Sequence, residues 1–256
     1  MERTRVPKLI ILGSSNAVPD EQHENTHMVL IGEQRSVLID CPGNPLRQLS
    51  YAGVDHQQIT DLILTHFHPD HVSGVGLFLM DTWLLGRKDP LEIYGLSYTI
   101  ERTEKLMGFY DWETWPNFFQ VNFHRLLEEE MVLVLENEEF RIYASPVRHI
   151  IPTIGLRFES TRSGKAIAYS CDTEPCPQVE RLASEAEVLI HEASGASYGH
   201  TSPAQAGEIA NRCQARSLYL IHYPTRGVDA DQLVREAQNN FPGPVSLAKD
   251  FLKLEL

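Results

Sequence analysis

Basic residues are scarce in this 256-residue chain: 22 lysines and arginines stand against 35 aspartates and glutamates, a net charge of −13. A protein that coats DNA or RNA through its phosphates shows the opposite balance, so nonspecific nucleic-acid binding is excluded; an enzyme with a local basic patch is not. No window approaches the roughly twenty uninterrupted apolar residues of a membrane-spanning helix. Cysteine is also sparse. Cys41, Cys171, Cys176 and Cys213 are too few for a disulfide framework and lack the paired spacing of a structural zinc site. They read as buried thiols in a reducing compartment. No long Pro/Gly/Ser linker or internal repeat interrupts the chain, which reads as one continuous domain over residues 1–256. Met1–Pro7 runs into Leu9-Ile10-Ile11-Leu12, an apolar stretch closed by Gly13 and too short for a secretory segment. The expected location is the cytoplasm, with no membrane partner.

The apolar pattern predicts strands over Lys8–Gly13, Met28–Ile31 and Ser36–Asp40, the last two joined at Gly32-Glu33. A helix is expected over Pro45–Ala52, then a short strand, Asp61–Thr65, that stops at His66. After Asp70, the spacing of Val72, Val75, Leu79 and Trp83 predicts one helix. A strand over Leu91–Tyr94 and a helix over Ser97–Met107, with Ser97 as N-cap, follow. The aromatic stretch Phe109–Phe119 reads first as a loop covering the core or a subunit contact, and second as a lid. Strands recur at Met131–Leu135, Glu139–Ser145, Thr153–Glu159 and Lys165–Ser170. The pattern then alternates: helix Gln178–Ser184, strand Val188–His191, helix Pro203–Cys213, strand Ser217–Ile221, helix Asp229–Asn239. Hairpins combined with helical crossovers imply an α/β protein with mixed sheets covered by helices on their outer faces.

Chemistry concentrates at His66-Phe67-His68-Pro69-Asp70-His71. Three imidazoles and a carboxylate follow a strand directly, and both groups are good ligands for a borderline divalent ion. So many ionisable groups beside apolar runs are costly to hold unless solvated or bound to something. Other candidates also terminate predicted strands: His149, Asp172 and His222. Singly, either histidine would ordinarily be a hydrogen-bonded residue and Asp172 a turn residue. Strands ending on one sheet edge would bring them together. His23, His56 and His124 lack such placement and read as surface or loop residues, His27 could approach the site, and Glu128-Glu129-Glu130 reads as a solvated turn. Arg148 and Arg226 read first as surface cations and second as contacts to a substrate phosphate.

With these residues, His66-Phe67-His68-Pro69-Asp70-His71 followed by His149, Asp172 and His222, the chain resembles the metallo-β-lactamase-fold hydrolases over nearly its whole length. The resemblance implies an αβ/βα four-layer sandwich of two mixed sheets flanked by helices. It also implies two divalent metal ions, Zn²⁺ ahead of Mn²⁺ or Fe. The first would take His66, His68 and His149, the second Asp70, His71 and His222, with Asp172 bridging. Ile190-His191-Glu192-Ala193-Ser194 and Gly199-His200-Thr201-Ser202-Pro203-Ala204-Gln205-Ala206 resemble two elements of the ribonuclease Z-like branch. By that likeness His200 protonates the leaving oxygen, Glu192 orients His200, and Asp70 is both ligand and catalytic partner of the attacking water. A hydroxide between two ions roughly 3.5–4 Å apart is the expected nucleophile.

Two features depart from that branch. Its P-x-K-x-R-N loop is replaced by Pro19-Asp20-Glu21-Gln22-His23-Glu24-Asn25, and only Ile150–Cys171 separates His149 from Asp172, which leaves no room there for a tRNA-clamping arm. The expectation is a phosphodiesterase acting on a small phosphodiester or an RNA 3′ end, as a homodimer by the same resemblance. A lactonase or other acyl, thioester or β-lactam hydrolase is the alternative, and a non-catalytic metal-binding protein stands behind both.

Overall fold

Apolar runs rich in valine, isoleucine and leucine suit strands whose two faces are both covered, and that is how they are used. The computed structural model describes residues 6–256; the polar lead-in at 1–5 lies outside the described residues. In chain order the strands of the first sheet are β1 (Lys8–Gly13), β2 (His27–Ile31), β3 (Ser36–Ile39), β4 (Ile59–Ile63), β5 (Leu91–Leu96) and β6 (Val121–Leu126). The second sheet contains β7 (Val132–Glu136), β8 (Phe140–Val147), β9 (Thr153–Ser160), β10 (Ala166–Tyr169), β11 (Val188–Glu192), β12 (Leu218–Ile221) and β13 (Val245–Leu247). The chain then returns as β14 (Lys253–Glu255) on the edge of the first sheet, antiparallel to β1. Each sheet has seven strands, in the orders β14-β1-β2-β3-β4-β5-β6 and β13-β12-β11-β10-β9-β8-β7.

Both sheets are mixed. β1, β2 and β3 pair antiparallel, whereas β3 to β6 run parallel. β7 to β10 pair antiparallel and β10 to β13 parallel. Alternation along each strand divides the core: Leu9 and Ile11 join Phe140, Phe158 and Tyr169 between the sheets, while Ile10 and Leu12 face outward. The outward face of the first sheet packs on α1 (Pro45–Ala52), α3 (Val75–Leu84) and α4 (Ser97–Gly108), with α2 (Pro69–Val72) preceding α3. α5 (Pro177–Leu182), α6 (Pro203–Arg212) and α7 (Ala230–Gln238) cover the second. The expected αβ/βα sandwich is the observed fold. Among the described residues no helix is long and apolar enough to cross a membrane.

Several boundaries differ from the pattern reading. The helix expected after Asp70 is two helices, because the Gly74 N–H leaves the helical path to donate to the Cys41 carbonyl at 2.8 Å. Ser97 is the first helical residue rather than the N-cap, a place taken by Leu96 without a side-chain bond. The strand expected over Asp61–Thr65 lies at Ile59–Ile63, since beyond it the Thr65 N–H donates to the Asp40 side chain at 2.8 Å. β6, β13 and β14 were not expected, and His124 therefore sits on a strand, paired with Glu92 at 2.6 Å. In the aromatic stretch, Trp112, Trp115, Phe118 and Phe119 pack on the outer core, Trp115 stacking on Trp83. Phe109 and Tyr110 remain exposed.

Candidate metal centre

Topology gathers the strand-end residues. β8 and β10 both run antiparallel to β9, and β11 and β12 run parallel to β10, so these four strands end on the same edge. Their ends are followed by or carry His149, Asp172, Glu192 and His222. The segment after β4 in the first sheet delivers His66 to His71 to the same place. The turns after β3, β10 and β12 use left-handed backbone at non-glycine residues: Asp40 (φ 59°), Cys171 (φ 54°) and His222 (φ 52°). Such positions cost roughly 1 kcal/mol or more each and cluster where a side chain must be aimed.

Two groups of donors result. His68 Nδ1 lies 3.1 Å from His66 Nε2 and 3.1 Å from His149 Nε2. Asp172 Oδ2 lies 3.2 Å from His222 Nε2, 3.6 Å from His71 Nε2 and 3.9 Å from His66 Nε2, so one oxygen borders both groups. Asp70 Oδ2 approaches His71 Nε2 at 3.7 Å and His222 Nε2 at 3.9 Å. The sets His66/His68/His149 and Asp70/His71/Asp172/His222 each bring their ligand atoms within 4.8 Å of one another. Two further sets overlap them, His66/His71/Cys171 and His149/Asp172/His200, so every ligand candidate read from the sequence lies in this one cluster.

The far nitrogens fix the near ones. His149 Nδ1–H donates to the Gly199 carbonyl at 2.7 Å and His71 Nδ1–H to Asp40 Oδ2 at 2.7 Å. His222 Nδ1–H donates to Thr26 Oγ1 at 3.2 Å, and that hydroxyl donates to the Ser15 carbonyl. The Thr65 hydroxyl donates to Asp40, leaving its oxygen to accept from His66 Nδ1 at 3.1 Å. In each case the ring turns its Nε2 toward the cluster, and for His66, His149 and His222 the neutral ring presents a lone pair there. Asp40, Thr65 and Thr26 were missed by sequence reasoning. Asp40 alone carried a signal, a carboxylate ending an apolar strand.

Electrostatics favour a bound cation. Burial drives the ring pKa values of His66, His68 and His149 down, and that of His222 to about 4, which keeps these imidazoles neutral. Burial also opposes charge on Asp172, yet the His222, His71 and His66 rings hold its carboxyl well below the usual range. His71 is buried as well, but Asp172 and Asp40 hold its ring pKa well above its ordinary value. Among the described residues, His71 Nε2 and Asp172 Oδ1 are buried without a hydrogen-bond partner. Converging lone pairs, a shared carboxylate and unsatisfied buried atoms fit divalent metal.

Beside the donors, His200 Nδ1 donates to Glu192 Oε1 at 2.9 Å. Glu192 is fully buried; its oxygens also accept from the N–H groups of Thr173 and Ser194. Burial raises the Glu192 pKa to about 7, and the bond to Glu192 raises that of His200. The His200 ring centroid lies 5.0 Å from that of His149 and 6.0 Å from that of His222. Ser202 caps α6 in a reciprocal capping box with Gln205, so capping and the His200 arrangement coexist in one loop. A cleft of about 420 Å³ adjoins His149, lined in part by Arg148, Ile150, Ile151 and Gln178. Arg226 lies exposed and donates to the Pro19 carbonyl. His27 is buried, donates through Nδ1 to the Asn25 carbonyl and joins neither donor group. His23 and His56 stand beside Asp20 and Asp55, and Glu130 of the acidic run pairs with Arg181.

Residues 7–241 match the family model described as Anti-Pycsar protein Apyc1. The chain is 26% identical to ribonuclease Z of Methanothermobacter thermautotrophicus over 305 aligned positions, covering 97% of this chain and 96% of that enzyme. Among solved structures it is similar to the metallo-β-lactamase fold protein YhfI of Bacillus subtilis, with TM-score 0.83, 25% identity and coverage of 98% and 100%. Human tRNase Z, short form, matches with TM-score 0.76, 25% identity and coverage of 97% of this chain and 98% of that one.

Proposed function

We propose, from the premise that the chain belongs to the Anti-Pycsar protein Apyc1 family and is a metallo-β-lactamase-fold hydrolase of ribonuclease Z type, that it cleaves small phosphodiesters with two divalent ions, zinc first among them. His66, His68 and His149 would hold one ion, and Asp70, His71 and His222 the other, with Asp172 shared. When bound, such a pair supplies Lewis acidity toward a phosphoryl oxygen and lowers the pKa of the attacking water. Asp70, on the rim of its group, orients that water. The observation that carries the reading is the His200–Glu192 pair at 2.9 Å, set against the donor cluster. With Nδ1 held by Glu192, His200 offers Nε2–H to the oxygen of a departing alkoxide, and Glu192 steadies the ring in both protonation states.

Substrate size is argued from what the chain does without. The alignment to the archaeal ribonuclease Z runs over 305 positions, and subtracting the 256 residues of this chain leaves at least 49 with no counterpart here. Between His149 and Asp172 there is only the β9–β10 hairpin, and the net charge of −13 discourages a polyanion. These points favour a small phosphodiester over an RNA 3′ end. Four buried free cysteines support a reducing cytoplasm. Exposed Leu84, Leu85, Phe109 and Tyr110 offer apolar surface for a homodimer, which light scattering in solution tests.

The deciding experiment compares wild type and His200→Ala on a bis-aryl phosphodiester, a cyclic nucleotide, precursor tRNA, a lactone and a β-lactam, with metal content measured alongside. We expect about two transition-metal ions per chain and cleavage of the small phosphodiesters. Loss of His200 should slow the poor leaving groups most. Lactone turnover without phosphodiester turnover, or less than one metal per chain, refutes the reading; precursor tRNA as the preferred substrate overturns the small-substrate assignment.

A further inference from the structure

The connection from β11 to α6 carries His200 without forming helix or strand, and something outside it must set the position of the ring. Within the loop, the His200 N–H donates to the Ser197 carbonyl at 3.0 Å. Two external holds flank His200: the Thr201 hydroxyl donates to the Thr173 carbonyl at 2.6 Å, and the other is at Gly199. Its N–H donates to Glu174 Oε1 at 2.9 Å, while its carbonyl accepts the His149 Nδ1–H at 2.7 Å. Glu174 is anchored in turn: its own N–H donates to the Arg148 carbonyl at 2.7 Å. Gly199 has φ 83°, and a Cβ there would stand 2.9 Å from His149 Nδ1. Only glycine allows this close approach.

We propose that Glu174 is the positioning residue of the acid loop. By fixing the Gly199 N–H, its carboxylate sets two things at once: the place of His200 and the acceptor that orients the His149 ring. The inference rests on the reading of His200 as general acid for its first consequence and is independent of it for the second. A carboxylate accepting from a backbone N–H is a charge-assisted bond. A displacement near 1 Å in such a loop costs on the order of a hundredfold in rate.

The test uses the metal-loaded enzyme with Glu174→Ala, Glu174→Gln, Glu174→Asp and His200→Ala. Substrates are a series of methyl aryl phosphates whose leaving groups span activated and poor phenols, and metal release to excess EDTA is followed in parallel. Glutamine keeps an acceptor of the same shape, so Glu174→Gln should stay within about threefold of wild type throughout. Glu174→Ala should lose at least tenfold more kcat on the poorest leaving group than on the best, with KM little changed, and should release metal several-fold faster. Aspartate should fall between, and it decides the matter if the alanine variant does not fold. Equal losses on all leaving groups, wild-type metal release in the alanine variant, or failure of glutamine to rescue would overturn the proposal. If His200→Ala shows no leaving-group bias, the acid reading fails by itself, and the EDTA arm still decides the role of Glu174.

Discussion

Asp40 accepts three hydrogen bonds at the floor of the site: from the Thr65 N–H, the Thr65 hydroxyl and His71 Nδ1. Through Thr65 it also reaches His66, so one carboxylate steadies a ring in each donor group. Partners of metal-binding imidazoles typically change affinity by roughly ten- to a hundredfold when removed. Asp40→Ala should therefore weaken zinc binding by about that factor in a chelator-competition titration, with both ions affected. Unchanged affinity would assign Asp40 to backbone geometry alone. His191 carries a different prediction. Burial holds its pKa down to about 4, against an ordinary value of 6.5, and its Nδ1–H is committed to the Glu192 carbonyl. A base whose folded pKa is depressed resists protonation only in the fold. Its penalty is absent above about pH 6.5, grows as pH falls, and levels off below about pH 4 at roughly 3 kcal/mol. His191→Gln should flatten the acid limb of a stability-versus-pH curve over that window. An unchanged limb would place the acid sensitivity elsewhere.

At the scale of elements, α6 and α7 approach so closely that a Cβ at Gly207 would stand 2.2 Å from the Ala237 carbonyl oxygen. Alanine improves intrinsic helix propensity by about 1 kcal/mol, whereas overpacking costs typically 1–3 kcal/mol and more against backbone. The clash is with backbone, so Gly207→Ala should destabilise the fold by about 2 kcal/mol net despite its better propensity, read as a lowered urea midpoint. A raised midpoint would mean the helices can part freely. Elements were legible where local pattern and final burial agree. Pro45–Ala52 was readable from both its ends, and β1 from its apolar run. β13 and β14 span three residues each and exist only through pairing with β12 and β1; nothing local marks them. β6 mixes Asn122, His124 and Arg125 into its run and draws its order from β5. The metal-ligand candidates were readable because His149, Asp172 and His222 fall within three residues of a strand end and His66 to His71 form a dense run after β4 that reaches into α2. Asp40, Thr26 and Glu174 act through partners 25 or more residues away, a relation no spacing displays.

Across the whole molecule, the donors come from both halves of the sandwich: His66, His68, Asp70 and His71 follow the first sheet, and His149, Asp172 and His222 follow strands of the second. An ion held as proposed would therefore tie the two sheets at one edge. Anything that binds only the folded state stabilises it by mass action. Stripping metal with EDTA should lower the melting temperature by several degrees, and added zinc should restore it; an unchanged value would show that the sheets hold their register without the ions. The division has a consequence for synthesis of the chain on the ribosome. Four donors emerge early and close together, as a partial chelating patch exposed on an unfinished sheet. The set closes only when His222 has left the exit tunnel. Interrupted products would carry the early patch without its counterpart, a metal-scavenging fragment with no chemistry to perform.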